Sequence, residues 1–345
     1  MTGHETTGSA GVKVMTVAHR SHPDEDTSEV IQQAIDRASL LGGAIVELLA
    51  ARWFLDRPVV LKDNVELRGV GAGTCLKASL SFLESQGPHG GHPLITTDGA
   101  ENVTIRGLTA DQSAEILDAN AARGRLKEYL IDIRYSKNVV VEQIQTTNPF
   151  TYSIAVVGSE HFCIRNNMTT VTTSGKYDQL DGIHVLGSSF GRISGNWVDQ
   201  GAGADGDDGM AAHTMGEAVH DVTYEGNVVR GGRHGAGLQF APGNEPIYNI
   251  AVLDNTFWGS PVGIHTGYYG GRAPLDNLVI TGNKFVDIPG RAVDLFGRIA
   301  GIAVTNNELC RSGDIKIGAG RGNYARSNRI SRRSRRVVDP QGAAK

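Results

Sequence analysis

The sequence predicts an all-β solenoid: a right-handed parallel β-helix of single strands, closed at its N-terminal end by a short helix. Three observations carry this expectation. Glycine is abundant without matching proline, only one segment has helical periodicity, and a strand motif recurs every 24–31 residues. Glycine fills 45 of 345 positions and proline 11, which excludes collagenous and proline-rich disordered chains. Hydrophobic residues at 40% are enough for a large core.

Residues 1–20 mix glycine, threonine, serine and charge and read as a flexible arm. Apolar residues at 30, 31, 34, 35 and 38 predict a helix over 28–39, with Thr27 or Ser28 placed to cap it and Gly42-Gly43 to end it. Ala44 to Leu48 and Val65 to Arg68 read as strands. The run Gly69-Val70-Gly71-Ala72-Gly73-Thr74 follows a strand, as a dinucleotide loop would. No helix pattern follows it and no acidic residue ends a second strand, so it reads as a tight turn.

From about residue 94 short alternating strands end repeatedly in Asn or Gly-Asn. Measured on Asn166, Asn196, Asn227, Asn255, Asn283 and Asn307, the steps are 30, 31, 28, 28 and 24 residues. Leucine-rich repeats need helical segments and regular leucine, and a propeller blade needs ~40–45 residues. A β-helix remains, with Ile, Val and Leu turned inward, Asn stacked at equivalent turns and the helix capping an otherwise open sheet end. The expected organisation is one domain over 21–330 and a basic disordered tail over 331–345, where Arg332, Arg333, Arg335 and Arg336 cluster.

A formal charge of −4 gives no net basic field, so no nucleic-acid partner is expected. No run approaches 18 apolar residues, so no membrane partner is expected. Met1 to Ala18 shows no apolar leader, so the chain as written reads as cytoplasmic, and as secreted if a leader has been lost. Cys75, Cys163 and Cys310 are odd in number and far apart, and read as buried thiols. The oligomeric state is left open.

Candidate chemistry concentrates between residues 176 and 235. His213, Glu217 and His220 lack the spacing of a helical zinc motif and read as loop residues. Asp181 to Asp207 is 26 residues, as is Asp208 to His234, about one coil. Residues one coil apart stack at a strand spacing of ~4.8 Å. Asp181, the Asp207-Asp208 pair and His234 are therefore expected on one face of three successive coils. Neighbours in a strand point to opposite faces, so both members of the pair join one site only if their flanking glycines permit a bend.

The region Asp26 to Gly73 resembles the N-terminal pattern of the pectate-lyase-like β-helix superfamily: an Asp, a capping helix, Gly-Gly, then a strand ending Arg68-Gly69-Val70-Gly71. The segment from about 148 to 285 resembles the polygalacturonases, glycoside hydrolase family 28. The family's Asn-Thr-Asp-Gly appears as Gln179-Leu180-Asp181-Gly182, its Gly-Asp-Asp as Gly206-Asp207-Asp208, and its Gly-His-Gly as Arg233-His234-Gly235. Asn148-Pro149-Phe150 is similar to its Asn-Ser-Pro-aromatic segment. Its fourth motif, Arg-Ile-Lys-Thr, is replaced by Gly263-Ile264-His265-Thr266.

The resemblance implies inverting hydrolysis of a glycosidic bond without cofactor. Asp208 is the implied general acid, Asp181 and Asp207 hold and deprotonate water, and His234 tunes the acid or binds substrate. In the family the Arg and Lys of the fourth motif grip the substrate carboxylate. Their loss predicts a neutral, modified or small glycan, with Arg233, His265 or Arg272 as possible replacements and Gln239 and Tyr268 as further substrate contacts. His265, protonated below about pH 6, is the expected grip for any residual uronate. Three alternatives stay open. One is a lyase or epimerase with Ca²⁺ on Asp205, Asp207 and Asp208 and with Arg230 or Arg233 as base. The others are an intracellular enzyme acting on a small metabolite and a non-catalytic glycan-binding solenoid.

Overall fold

A computed structural model describes residues 4–7, 13–19, 25–84, 92–117, 129–171, 179–201 and 206–331. Each coil lays one short strand in each of three sheets, of 13, 11 and 10 strands. Past an antiparallel N-terminal hairpin, all the sheet pairing among the described residues is parallel, and the winding is that of a right-handed β-helix, as the repeat predicts.

Alternation explains the packing. In the first sheet Val141, Ile164, Ile193, Tyr224, Val252, Ile280 and Val304 occupy one register column and are all fully buried. Burial of each such side chain stabilises the fold by about 1.5–3 kcal/mol. The helix spans Ser28–Leu40 and turns Ile31, Ile35 and Ala38 into the same core. Its expected side-chain cap differs. Thr27 makes no capping bond to the helix; its hydroxyl donates to Phe54 O, and Asp26 Oδ1 accepts from Ser28 N at 2.9 Å.

The segment expected as a loose arm supplies a strand, Lys13–Val17, paired in parallel with Ala44–Leu48. Its signal is two inward apolar residues, Met15 and Val17, embedded in polar sequence. At the other end the last strand is Arg329–Ser331, and the predicted basic tail beyond it lies outside the described residues. The cysteines are free thiols, with Cys310 buried and the other two half-buried.

The asparagine column is present, shifted by one residue in one coil. Asn167, not Asn166, stacks on Asn196, and the column continues through Asn227, Asn255, Asn283 and Asn307 to Asn328. Asn166 sits one place earlier, exposed, with φ of 55°. Each column amide donates to the next carbonyl oxygen at 2.9–3.0 Å, and that oxygen also accepts a backbone N–H.

Candidate active site

The third sheet carries the site. Ile183, Met210, Leu238 and Ile264 form an inward register column, and a glycine precedes each of them: Gly182, Gly209, Gly237 and Gly263. A Cβ on Gly182 or Gly209 would lie 2.3 Å from Val198 or Val229 of the second sheet. Only glycine lets the chain enter the third sheet this close to the second, and the residue just before it is left on the outer rim.

The connections arriving at this rim shorten along the solenoid. Twelve residues separate Thr170 from Ile183 and ten separate Asp199 from Met210, but only five separate Arg230 from Ala236. Asp181, Asp207 and Asp208 ride on the two long connections.

The bend that the aspartate pair requires is a β-bulge. Leu180 bridges Gly206 and Ile183 pairs with Met210, so three steps on one coil face four on the next. The extra residue lets two neighbours on one coil meet one on the other, which re-aims a side chain. Asp181, Asp207 and Asp208 then converge, with a carboxylate oxygen from each within 4.8 Å of the others. Gly235 packs directly beneath, where a Cβ would lie 2.1 Å from the Asp207 carbonyl carbon and 2.3 Å from Asp208 N.

Asp208 is buried, and its Oδ1 accepts from Ala236 N at 2.7 Å. Asp181 is buried too, and its Oδ1 accepts from Asp208 N at 3.2 Å. Burial, and then the neighbouring carboxylates, lift Asp208 well above the usual carboxyl range. Burial and then Asp207 do the same to Asp181. Asp207 is half-buried and is the negative neighbour common to both shifts.

Sequence reasoning missed His184. Its Nδ1 lies 2.5 Å from Asp181 Oδ2, and its Nε2 is buried without a hydrogen-bond partner among the described residues. The short contact would favour an ion pair, but desolvation wins for both groups, lowering the imidazole to about 3 while raising the acid. Burial thus works against the charged form of both groups. The alternation in Ile183-His184-Val185 was the available signal, a polar residue facing outward between two core residues. His184 stacks on Tyr152 at 4.2 Å and Tyr152 on Tyr129 at 4.8 Å. On the other side lie His213, 6.0 Å away, and then Tyr269, a further 6.2 Å. His213, expected as a loop residue, ends a strand here, and burial lowers it to about 4.

Other expected residues are placed differently. The coil following Asp208 is 28 residues at this level, so Asp208 faces Ala236, and His234 N donates to Gly206 O at 3.2 Å. The His234 side chain is exposed rather than buried with the acids. Tyr268 packs on Phe296 and Gly297, whereas its neighbour Tyr269 reaches Gln239. Gln239 and His265 are register partners, with Gln239 Nε2 3.0 Å from His265 Nε2. Burial lowers the His265 pKa, which weakens its expected role as a cation below pH 6. Arg233 and Arg272 are exposed on the coils that follow the triad.

Asp205, expected in a Ca²⁺ trio with Asp207 and Asp208, lies outside the described residues; among those described, Asp181 joins the pair. Of the two arginines considered as bases, Arg230 is committed elsewhere, bound to Asp199 at 2.5 Å and lying over Trp258.

The chain is thus a parallel β-helix that gathers three carboxylates at the rim of its third sheet. Solved structures agree on the fold. Endo-xylogalacturonan hydrolase from Aspergillus tubingensis aligns with a TM-score of 0.70 at 14% identity, covering 92% of this chain and 95% of its own. An exopolygalacturonase from Thermotoga maritima aligns at 0.68 and 17% identity, covering 91% of each chain. A polygalacturonase from Erwinia carotovora ssp. carotovora aligns at 0.68 and 16%, covering 92% and 96%. The fold is thus the one shared by the family 28 polygalacturonases. No protein-family model and no curated protein sequence matches the chain.

Proposed function

We propose that the protein is a glycoside hydrolase of polygalacturonase type that cleaves a glycosidic bond with inversion. The observation that carries this reading is the bulge, which brings Asp207 and Asp208 to the same face as Asp181. Asp208, buried and shifted toward its protonated form, gives its proton to the leaving glycosidic oxygen. A water held between Asp207 and Asp181 attacks the anomeric carbon, and Asp207 takes the proton it loses. His184, bonded to Asp181, positions that carboxyl and does not exchange protons with the substrate. Fold likeness supports the choice of reaction class without deciding it, since one scaffold hosts several chemistries.

The test is a reducing-end assay over pectic, fructan and neutral glucan substrates, with and without EDTA, together with absorbance near 235 nm. New reducing ends that are insensitive to EDTA, without unsaturated product, are expected. Asp208→Asn should lower turnover by about 10²-fold or more. Unsaturated product that disappears with EDTA would overturn the reading in favour of a lyase. One oxygen of each aspartate lies within 4.8 Å of the others, whereas the carboxyl groups of an inverting pair usually stand ~6.5–9.5 Å apart, so the anomer first released, read by NMR, tests inversion separately.

A further inference from the structure

Gly263 and His265 stand where the resemblance expects two cations. Gly263 has no room for any side chain, because a Cβ there would lie 2.3 Å from Ala292 O and 2.6 Å from Phe285. His265 is tied into a neutral cluster. The Gln239 amide nitrogen donates to the Tyr269 hydroxyl oxygen and to His265 Nε2, each at 3.0 Å. Gln239 is buried, and its amide lies against Gly267, as does the Tyr269 ring. Both amide hydrogens are used internally. The cluster keeps an acceptor in Gln239 Oε1 and a donor in the Tyr269 O–H.

One acceptor beside one donor matches a hydroxyl, which both gives and takes a hydrogen bond. A carboxylate only accepts, and would meet the Gln239 oxygen head-on. The surrounding charge points the same way. Tyr269 lies within the electrostatic reach of Asp181, Asp207 and Asp208, and His265 faces Asp294. Asp294 is itself bound to Arg291 at 2.8 Å.

We propose that Gln239, His265 and Tyr269 form a specificity element that accepts an uncharged, hydroxyl-bearing sugar unit beside the aspartates and rejects a uronate. The inference rests on the hydrolase reading and names the substrate class for that same site. Rejection is built from the Gln239 acceptor and the Asp207 carboxylate, not from a lost contact only.

The test uses pairs of probes that differ in charge. Binding of trigalacturonate, its fully methyl-esterified form and 1,4-galactotriose is measured calorimetrically at pH 7 in the Asp208→Asn protein, so that turnover does not interfere. At least one uncharged probe should bind about 10-fold or more tighter than trigalacturonate. Gln239→Ala and Tyr269→Phe should each weaken that probe about 5-fold or more, while Gln239→Ala, which removes the repelling oxygen, should tighten trigalacturonate. Equal or tighter binding of the acid, no binding of any uncharged probe, or indifference to both substitutions overturns the proposal. Hydrolysis by the wild type is read separately. Cleavage without the charge preference sinks the specificity element only; the preference without cleavage of any glycan sinks the hydrolase reading only.

Discussion

The asparagine column and the aspartate cluster are both buried polar arrays built on the same coil repeat, and they are opposites. In the column each residue meets its equivalent one coil away, and every amide donor and acceptor between Asn196 and Asn307 is matched. In the cluster three acids crowd together, and the adjoining His184 keeps a buried nitrogen without a partner. The column obeys the repeat. The cluster exists because one extra residue breaks it. Polar groups in register satisfy each other and stabilise the solenoid; polar groups out of register are left with capacity for something else.

The largest effect on stability is expected in the column. Asn227→Ala would orphan Asn196 N, one Asn196 amide hydrogen and Ile193 O, all buried. At about 1–3 kcal/mol for each unsatisfied group, a loss of about 3 kcal/mol or more should appear in thermal or denaturant unfolding. Asn166→Ala, one place off the column, should cost about 1 kcal/mol, from its left-handed backbone only. Equal losses would show that the column contributes no more than an ordinary turn.

The second prediction turns the cluster back toward regularity. Gly235→Ala would press a methyl group into the bulge backbone. Displacing reacting groups by about 1 Å can cost 10²-fold, so turnover should fall by roughly that factor. The loss of thermal stability should be smaller than for Asn227→Ala. Full activity in this variant would show that the bulge geometry does not set the site.

The smallest effect is on the pH dependence of stability. Burial raises the folded-state pKa of Asp208 above its unfolded value of about 3.9. A group shifted upward stabilises the fold fully below the unfolded pKa, and loses that contribution as pH rises through the folded pKa. Asp208→Asn keeps an acceptor for Ala236 N and removes the cost of ionising a buried acid. Its melting temperature at pH 8 should therefore exceed that of the wild type by about 2 °C or more, with the gap closing toward pH 4. A gap that is constant across this range would mean that Asp208 is not shifted.

What could be read from the sequence follows the same division. Periodic features were legible: the coil length, the asparagine column to within one residue, the capping helix, and Asp181 with the Asp207-Asp208 pair. Register was not. A uniform 26-residue coil placed His234 beside Asp208, whereas the pairing of Met210 with Leu238 makes that step 28. The choice between Tyr268 and Tyr269 depends on how a turn is wound, which composition does not encode. His184 was within reach of an alternation argument, but its pairing with Asp181 needed the bend at Gly182, because three residues apart on a regular strand face opposite ways.

The parallel pairing of each coil with only its predecessor and successor has a consequence for biogenesis. Partner strands are separated by 21 residues, as in Ala303 and Tyr324, to 38, as in Glu66 and Thr104. At about 5–20 residues per second, a ribosome would release a 28-residue coil in roughly 1–6 s. The helix-closed end emerges first, and each new strand then meets a template already in place. Asp181 would be waiting when Asp208 arrives, so the site grows by accretion during synthesis rather than by the meeting of distant parts of a finished chain.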